Sequence, residues 1–170
     1  TPLGDIPLDL TAAAAVRRLP QVQVLDQAHA LEHSLEVQLP FLQEVLDEFS
    51  LVPLVVGDAS AAEVAEVLEV LWDGPETRLV ISSDLSHYHD YETARRMDGA
   101  TSRAIETLDP DAIGYEDACG RVPVTGLLAA ARTHGLRART LDLRSSGDTA
   151  GPRNQVVGYG AYAFDQPAER

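Results

Sequence analysis

The sequence contains no lysine and only one cysteine. All 13 of its basic side chains are arginine, which excludes Schiff-base chemistry on lysine and the lysine of a P-loop nucleotide site. The single cysteine, Cys119, has no partner for an internal disulfide, so the packed core has to hold the fold. Its thiol is then either an inert buried group or a metal ligand or nucleophile.

The sequence also lacks a long apolar run and an excess of positive charge. No segment approaches the roughly 20 apolar residues of a membrane helix, and the N-terminus has no signal-peptide pattern, so we expect a cytoplasmic protein without membrane contact. With 27 acidic against 13 basic side chains the net charge is −14, which repels phosphate backbones. Because no local basic stripe offsets that charge, we expect no nucleic-acid partner.

The chain of 170 residues has the length of one domain, and 45% of them are hydrophobic. Short apolar runs at 21–25, 51–57 and 77–82 predict strands, and each is followed by a helical pattern. Two closing strands are predicted at 136–144 and 155–164, as candidates for antiparallel neighbours. Strands that alternate with helices indicate parallel pairing under right-handed crossovers. The sequence therefore predicts a single α/β domain over residues 1–170 with a mostly parallel, mixed sheet.

Local signals define several helices. Ser60 followed by Glu63 predicts a capping box at the start of a helix over 61–72. A helix rich in arginine and alanine is predicted from about Glu92 to Leu108. Gly135 predicts the end of the helix formed by "RVPVTGLLAAARTH", because glycine is favoured just past a helix C-terminus.

The segment "HALEH" carries His29, Glu32 and His33 in the H-x-x-E-H order of inverted zinc peptidases. A peptidase needs an unbroken helix through both histidines, whereas Ser34 resembles an N-cap and places the pair in the approach to the helix. Glu32 and His33 then lie just before a helix N-terminus and face the crevice. The alternative is that these side chains have no site role and are either solvated or cap the helix.

The loop "SSDLSHYHD" brings Asp84, His87 and His89 together directly after a predicted buried strand. Ligands in open α/β sheets collect beyond the carboxyl ends of the strands. A carboxylate and an imidazole three residues apart in such a loop can chelate one metal ion or act as an acid and base pair. An ordinary polar turn has the same composition.

The segment "ACGRVPV" places Cys119 immediately before a helix, with Gly120 allowing close backbone approach. Backbone N–H groups at a helix start and the neighbouring Arg121 both favour the thiolate, which is the form that binds metal or attacks electrophiles. A buried structural thiol and a surface arginine remain the alternative.

Five segments resemble one known family in the same order along the chain. They are "TPLGDIPLD", "AHALEHSLEVQLPFLQ", "VISSDLSHY", "ACGRVPVTGLL" and "RSSGDTAGPRNQVVGYGAYAF". Together they resemble the MEMO family, named for a mediator of ErbB-driven cell motility, whose prokaryotic members are called AmmeMemoRadiSam system protein B. The resemblance covers nearly the whole chain.

The resemblance implies a three-layer α/β/α fold akin to the class III extradiol (LigB-like) dioxygenases, with an iron or copper pocket at the strand ends. It maps the family's metal-binding cysteine to Cys119, and the aspartate and histidine that lie close to the family's metal to Asp84 and His87. Two further ligand histidines of the family lie in strings such as P-H-A-G-Y and G-P-S-H ahead of "TPLG". Because these strings are absent, the resemblance also implies that the chain corresponds to the C-terminal part of the family.

Roles for the individual residues follow from the resemblance and the motifs together. We expect Cys119 to be a direct metal ligand, His87 a ligand or proton donor, and Asp84 a ligand, an orienting group or a base. Arg121 would be a charge partner for the thiolate or for an anionic substrate. Glu32, His33 and His89 complete the set expected to border the pocket.

Three functions are compatible with these residues. The first is a redox or dioxygenase-like metal pocket with an unknown small-molecule substrate. The second is a non-catalytic adaptor that holds a peptide or phosphopeptide in the same pocket. The third is a zinc peptidase that uses "HALEH". The sequence leaves the oligomeric state open.

Overall fold

The computed structural model describes residues 1–167 as a mixed α/β domain with a small antiparallel sheet. The strands are β1 (His87–His89), β2 (Arg137–Ser145) and β3 (Val156–Asp165), in the spatial order β1-β3-β2. Both neighbouring pairs are antiparallel. The antiparallel pairing expected of the two closing strands is therefore confirmed.

Six α-helices and two short 3₁₀ helices accompany the sheet in the described part of the chain. The α-helices are α1 (Leu10–Val16), α2 (Asp26–His29), α3 (Leu39–Val45), α4 (Ala61–Leu71), α5 (Tyr91–Glu106) and α6 (Arg121–Thr133), and the 3₁₀ helices are Pro110–Ala112 and Ser146–Asp148. None of the helices within residues 1–167 combines the length and apolar character needed to cross a bilayer.

The predicted helix boundaries are confirmed where they rest on local capping. The Glu63 N–H donates to Ser60 Oγ (3.2 Å) and the Ser60 N–H donates to Glu63 Oε2 (2.8 Å), which completes the capping box of α4. Gly135 follows the C-cap of α6 with φ +64°, a conformation that glycine adopts without steric cost. These signals involve only neighbouring residues, so tertiary packing does not override them.

Two apolar clusters hold the helices against the sheet. In the first, α4 packs on α6, and a Cβ added at Gly126 would lie 2.3 Å from Val64 Cγ1, so only glycine allows this approach. In the second, the fully buried Leu128 of α6 packs with Ile105 of α5 and with Ile113. α5 also contacts β2 and β3, so its packing in the second cluster positions the helix against the sheet.

The mostly parallel, three-layer arrangement is not confirmed. Residues 21–25, 51–57 and 77–82 form no strand, and the one bridge they make is the isolated parallel pair Leu8 and Leu51. Val24 and Val80 are more than half exposed. Apolar β-branched runs favour extended backbone, but a strand also needs a partner to accept its hydrogen bonds. Within residues 1–167 these runs find none beyond that bridge.

The polar loop predicted over residues 83–91 contains a strand that the sequence pattern did not indicate. His87 to His89 pair with Val156 and Val157 of β3, with a shift of register between the two histidines. β1 is short and has no apolar alternation, so sequence pattern alone could not identify it. Its pairing with β3 fixes both histidines relative to the sheet.

Candidate metal centre

Three side chains predicted to act together do converge in the structure. Asp84, His87 and Cys119 each offer one ligand atom, and these atoms lie within 4.8 Å of one another. His87 Nε2 is 3.5 Å from Asp84 Oδ2, and both side chains are partly exposed. Cys119 is exposed as well, so its thiol is free rather than an inert buried group. The cluster is therefore open to solvent and to small ligands.

Hydrogen bonds donated by backbone N–H groups join the loop of Asp84 to the turn of Cys119. The Asp84 N–H donates to Cys119 Sγ (3.2 Å), and the Cys119 N–H donates to the Asp84 carbonyl oxygen (3.3 Å). Next to them, the Gly120 N–H donates to Ser83 Oγ (2.8 Å). A Cβ at Gly120 would lie 2.8 Å from Ser83 Cβ, so glycine is needed for this contact. These contacts bring together residues 35 positions apart in the sequence.

The loop is also anchored to the sheet between its two metal-ligating candidates. The Leu85 N–H donates to the Gly158 carbonyl oxygen (2.9 Å), and the Gly158 N–H donates to the Ser86 carbonyl oxygen (2.8 Å). Leu85 and Ser86 are both buried. Because Asp84 and His87 flank this anchored pair, their separation is set by β3.

A buried carboxylate lies beneath this anchor. Asp98 of α5 is 3% exposed, and its Oδ1 accepts the Ser86 N–H (3.0 Å). Burial raises the pKa of the Asp98 carboxyl, although the hydrogen bonds with Ser86 act in the opposite direction. A Cβ at Gly158 would lie 2.0 Å from Asp98 Oδ2, so glycine is required opposite the carboxylate.

Sequence reasoning missed Asp98, although a signal was present. Asp98 lies on the same stripe of α5 as Ala94, Thr101 and Ile105, at the three- and four-residue spacing of one helix face. A carboxylate within a buried stripe needs a partner, and its partner here is the backbone of Ser86, in the loop between Asp84 and His87.

Tyr88 of β1 has a backbone conformation that non-glycine residues rarely adopt. Its φ is +62°, and the shift in strand register falls between His87 and His89. A residue inserted into one strand of an antiparallel pair forms a bulge and redirects the neighbouring side chains. Tyr88 is 72% exposed.

A cavity of about 410 Å³ lies beside the cluster. Its lining consists of His87, Tyr88, His89, Tyr115, Glu116, Ala118 and Cys119. The structure thus places His89 in the same cavity as two members of the cluster. Tyr115 and Glu116 were not among the predicted site residues, since nothing in the sequence connects them to β1.

The structure does not bring Arg121, Glu32 or His33 into this lining. Arg121 is half-buried as the first residue of α6. Glu32 Oε1 accepts the Ser34 N–H (2.7 Å), and this bond lowers the pKa of the Glu32 carboxyl. His33 Nδ1 lies 2.9 Å from Glu36 Oε2, and the contact with that carboxylate raises the pKa of His33.

The peptidase arrangement is not formed in the structure. α2 ends at His29, and His33 lies outside any helix, just before the turns that lead into α3. The two imidazoles therefore do not share one face of a continuous helix. Further along the chain, Gln38 Nε2 donates to Ser82 Oγ (3.1 Å), two residues before Asp84.

Comparison with known proteins agrees with the motifs. The model of the Memo-like protein family matches residues 1–163. A MEMO1 family protein of Aeropyrum pernix is 37% identical, with 95% of this chain and 62% of the relative aligned. MEMO1 family proteins of Saccharolobus islandicus and Archaeoglobus fulgidus are each 36% identical, with 96% of this chain and 63% and 66% of the relatives aligned.

The chain spans slightly less than two thirds of the length of these curated relatives. The family match nevertheless covers nearly all of its own residues, including the loop of Asp84 and His87 and the turn of Cys119. The chain belongs to the Memo-like family.

Proposed function

We propose that this chain binds a redox-active metal ion, iron or copper, through Asp84, His87 and Cys119, and that the adjoining cavity receives a small-molecule substrate. The observation that carries the proposal is the convergence of the three ligand atoms within 4.8 Å. Two of these residues are close in sequence, but the third is 35 residues away and is held in place by backbone hydrogen bonds.

The spacing of the three side chains suits a single ion. Bonds from a protein ligand to a first-row metal such as zinc are about 2.0–2.3 Å long, so two ligands on one ion lie at most about 4.4 Å apart, and about 3.4 Å apart in tetrahedral geometry. The 3.5 Å between His87 Nε2 and Asp84 Oδ2 matches the tetrahedral spacing. Small rotations of the partly exposed side chains would bring the sulfur into range.

The donor set favours iron, copper or zinc over calcium or magnesium. Thiolate and imidazole bind the softer transition metals, whereas calcium and magnesium prefer oxygen ligands. Three protein ligands leave coordination positions open for substrate. When bound, iron or copper would supply one-electron chemistry and activation of small molecules.

The surrounding residues define what the chain itself contributes. The Asp84 N–H holds the sulfur of Cys119 on one side, and His87 is fixed by the pairing of β1 with β3. His89 and Glu116 line the cavity without belonging to the three-residue cluster. They are therefore available to hold or move a proton on a bound substrate.

The other two functions have less support. Phosphopeptide recognition relies on arginine pairs, and no arginine lies among the described residues that line the cavity. A zinc peptidase needs His29 and His33 on one helix, but α2 ends at His29. A pocket for a small molecule beside a metal ion therefore has the best support.

Metal titration of the full chain tests the proposal. Iron(II), copper(I) and zinc(II) would be added anaerobically to the chelator-treated protein, with metal content measured after gel filtration. We expect about one ion per chain for at least one metal, and at least about a tenfold loss of affinity in His87→Ala and Cys119→Ser.

His29→Ala is the matched control, because His29 is exposed and lies outside the cluster. It should leave the metal content unchanged. Absence of stoichiometric binding by all three metals, or equal losses in the control and the His87 variant, would contradict the proposed site.

A further inference from the structure

Two exposed tyrosines border the cavity beside the metal-site cluster. Tyr88 is 72% exposed and Tyr115 is 86% exposed, and both belong to the cavity lining. Aromatic residues normally bury much of their surface when they only support the fold, and binding pockets are rich in them. Both residues contribute atoms to the cavity lining, and most of their surface is open to solvent and therefore accessible to a ligand at the cavity.

The conformation of Tyr88 indicates that its position is imposed by the fold. A tyrosine at φ +62° is strained, and such strain persists only where the surrounding structure determines it. The pairing of His87 and His89 with β3 provides that restraint. Glycine would occupy this backbone without strain, whereas tyrosine occupies it at a conformational cost.

The charge of the cavity selects against anions. Glu116 is part of the lining, and neither lysine nor arginine is among the described lining residues. Asp84 adds a second carboxylate beside His87. A divalent metal bound by the Asp84 carboxylate and the Cys119 thiolate would have its charge cancelled by these two ligands, so metal binding would not make the cavity attractive to anions.

We infer that this cavity selects a ligand with a flat aromatic ring and a positively charged amine. Tyr88 and Tyr115 supply the faces on which an aromatic ring or a cation is stabilised. Glu116 supplies the charge partner for the amine. The inference deepens the proposed function by naming the class of substrate for the same pocket, and it rests on that function for its biological meaning.

Binding of 2-phenylethylamine to the full chain tests the inference. Its affinity would be measured by NMR titration in the presence of a chelator and again with each metal. Three matched compounds separate the contributions: phenylacetate replaces the amine by a carboxylate, phenyl phosphate replaces it by a phosphate, and 2-cyclohexylethylamine replaces the aromatic ring. We expect each of them to bind about three- to tenfold more weakly than 2-phenylethylamine.

Variants of the cavity lining provide the second arm of the experiment. Tyr115→Ala and Glu116→Gln should each weaken binding of 2-phenylethylamine by about three- to tenfold. Tyr159→Ala is the matched control, because Tyr159 is an exposed tyrosine of β3 that does not line the cavity. The affinity of this variant for 2-phenylethylamine should equal that of the unaltered chain.

Three outcomes would overturn the inference: no saturable binding of the amine, equal or tighter binding of phenyl phosphate or phenylacetate, or equal losses in the Tyr159 and Tyr115 variants. The metal titration is a separate measurement, so its outcome can be compared with the binding of the amine. Binding of the amine by a chain that takes up no metal would contradict the metal centre alone. Metal uptake without selectivity for the amine would contradict the ligand class alone.

Discussion

Asp84 and Cys119 hold each other through a reciprocal pair of hydrogen bonds, each donated by a backbone N–H. The N–H of Asp84 donates to the sulfur of Cys119 over 3.2 Å, and the N–H of Cys119 donates to the carbonyl oxygen of Asp84 over 3.3 Å. Neither contact uses the carboxylate of Asp84. The position of the thiol therefore depends on the path of the loop and not on the charge of this side chain.

Asp84→Ala separates the role of the carboxylate as a candidate metal ligand from the role of the Asp84 backbone in holding the thiol. The substitution removes one candidate ligand but keeps both backbone contacts, so we expect at least about a tenfold loss of metal affinity. The rate at which a maleimide reagent labels Cys119 in the metal-free chain should be retained or should rise, since both hydrogen bonds are kept and the loss of a neighbouring carboxylate favours the thiolate. Metal affinity and labelling rate are both measured on the purified variant. Unchanged affinity would exclude the carboxylate as a ligand.

Gly120→Ala should disturb the same junction sterically. The added methyl would lie 2.8 Å from Ser83 Cβ and 3.1 Å from the Ser82 carbonyl oxygen, so the turn must move away from the loop. We expect a loss of about 1–3 kcal/mol in the free energy of unfolding in urea, together with weaker metal binding.

Gly57→Ala is the control for the glycine substitution. A Cβ at Gly57 meets no atom within 4 Å, so this variant should retain the stability and metal affinity of the unaltered chain. Equal stability of the Gly120 and Gly57 variants would show that the turn at Gly120 tolerates a side chain.

Asp98→Asn should change the pH dependence of stability. Burial raises the pKa of Asp98 above the ordinary value of 3.8, so the ionised form is disfavoured in the folded chain. The stability contributed by this group is fully present below that ordinary value and is lost as the pH rises through the folded-state pKa. Asparagine does not titrate, so the stability of Asp98→Asn relative to the unaltered chain should increase with pH across this window.

Urea unfolding at several pH values measures this difference. Asp98→Ala is the companion variant: it leaves the buried Ser86 N–H without its acceptor, and it should lose about 1–3 kcal/mol. A difference between Asp98→Asn and the unaltered chain that stays constant with pH would mean that Asp98 does not titrate differently on folding.

Leu128→Ala should be among the most destabilising substitutions in the second apolar cluster. Leu128 is fully buried and packs with Ile105 and Ile113, so truncation leaves a cavity and should cost about 2–5 kcal/mol. Leu31→Ala is the matched control, since Leu31 is 87% exposed and its truncation should change stability by about 0.5 kcal/mol or less. Urea unfolding of both variants measures the contrast, and similar losses would contradict the assigned core.

Short-range signals in the sequence predicted the parts of the fold that depend on neighbouring residues. The Ser60 and Glu63 capping box, the end of α6 before Gly135 and the closing antiparallel pair all follow from such signals. The apolar runs at 51–57 and 77–82 were predicted as strands. Within residues 1–167 they form no strand, and their one backbone pairing is the isolated bridge between Leu8 and Leu51. Strand formation depends on a distant partner, which a local pattern cannot specify.

The candidate site likewise contains some residues that local sequence spacing could identify and others that it could not. Asp84 and His87 are close in sequence and could be paired by spacing, whereas Cys119 joined them only through the family resemblance. Asp98 comes to the site through the packing of α5, and Tyr115 lies four residues before Cys119 in the chain. No motif connects either residue to the loop of Asp84 and His87. Glu32 and His33 had a suggestive motif, yet their side chains bond to nearby residues at the surface.

The contacts between Asp84 and Cys119 join residues 35 positions apart and close a loop that includes the whole of α5. An ion bound by both residues would act as a reversible cross-link across that loop, and its binding free energy would add to the free energy of unfolding. The melting temperature of the chain would then rise with the free metal concentration around it. Resistance to proteolysis in the cell would in that case report how much of the ion is available.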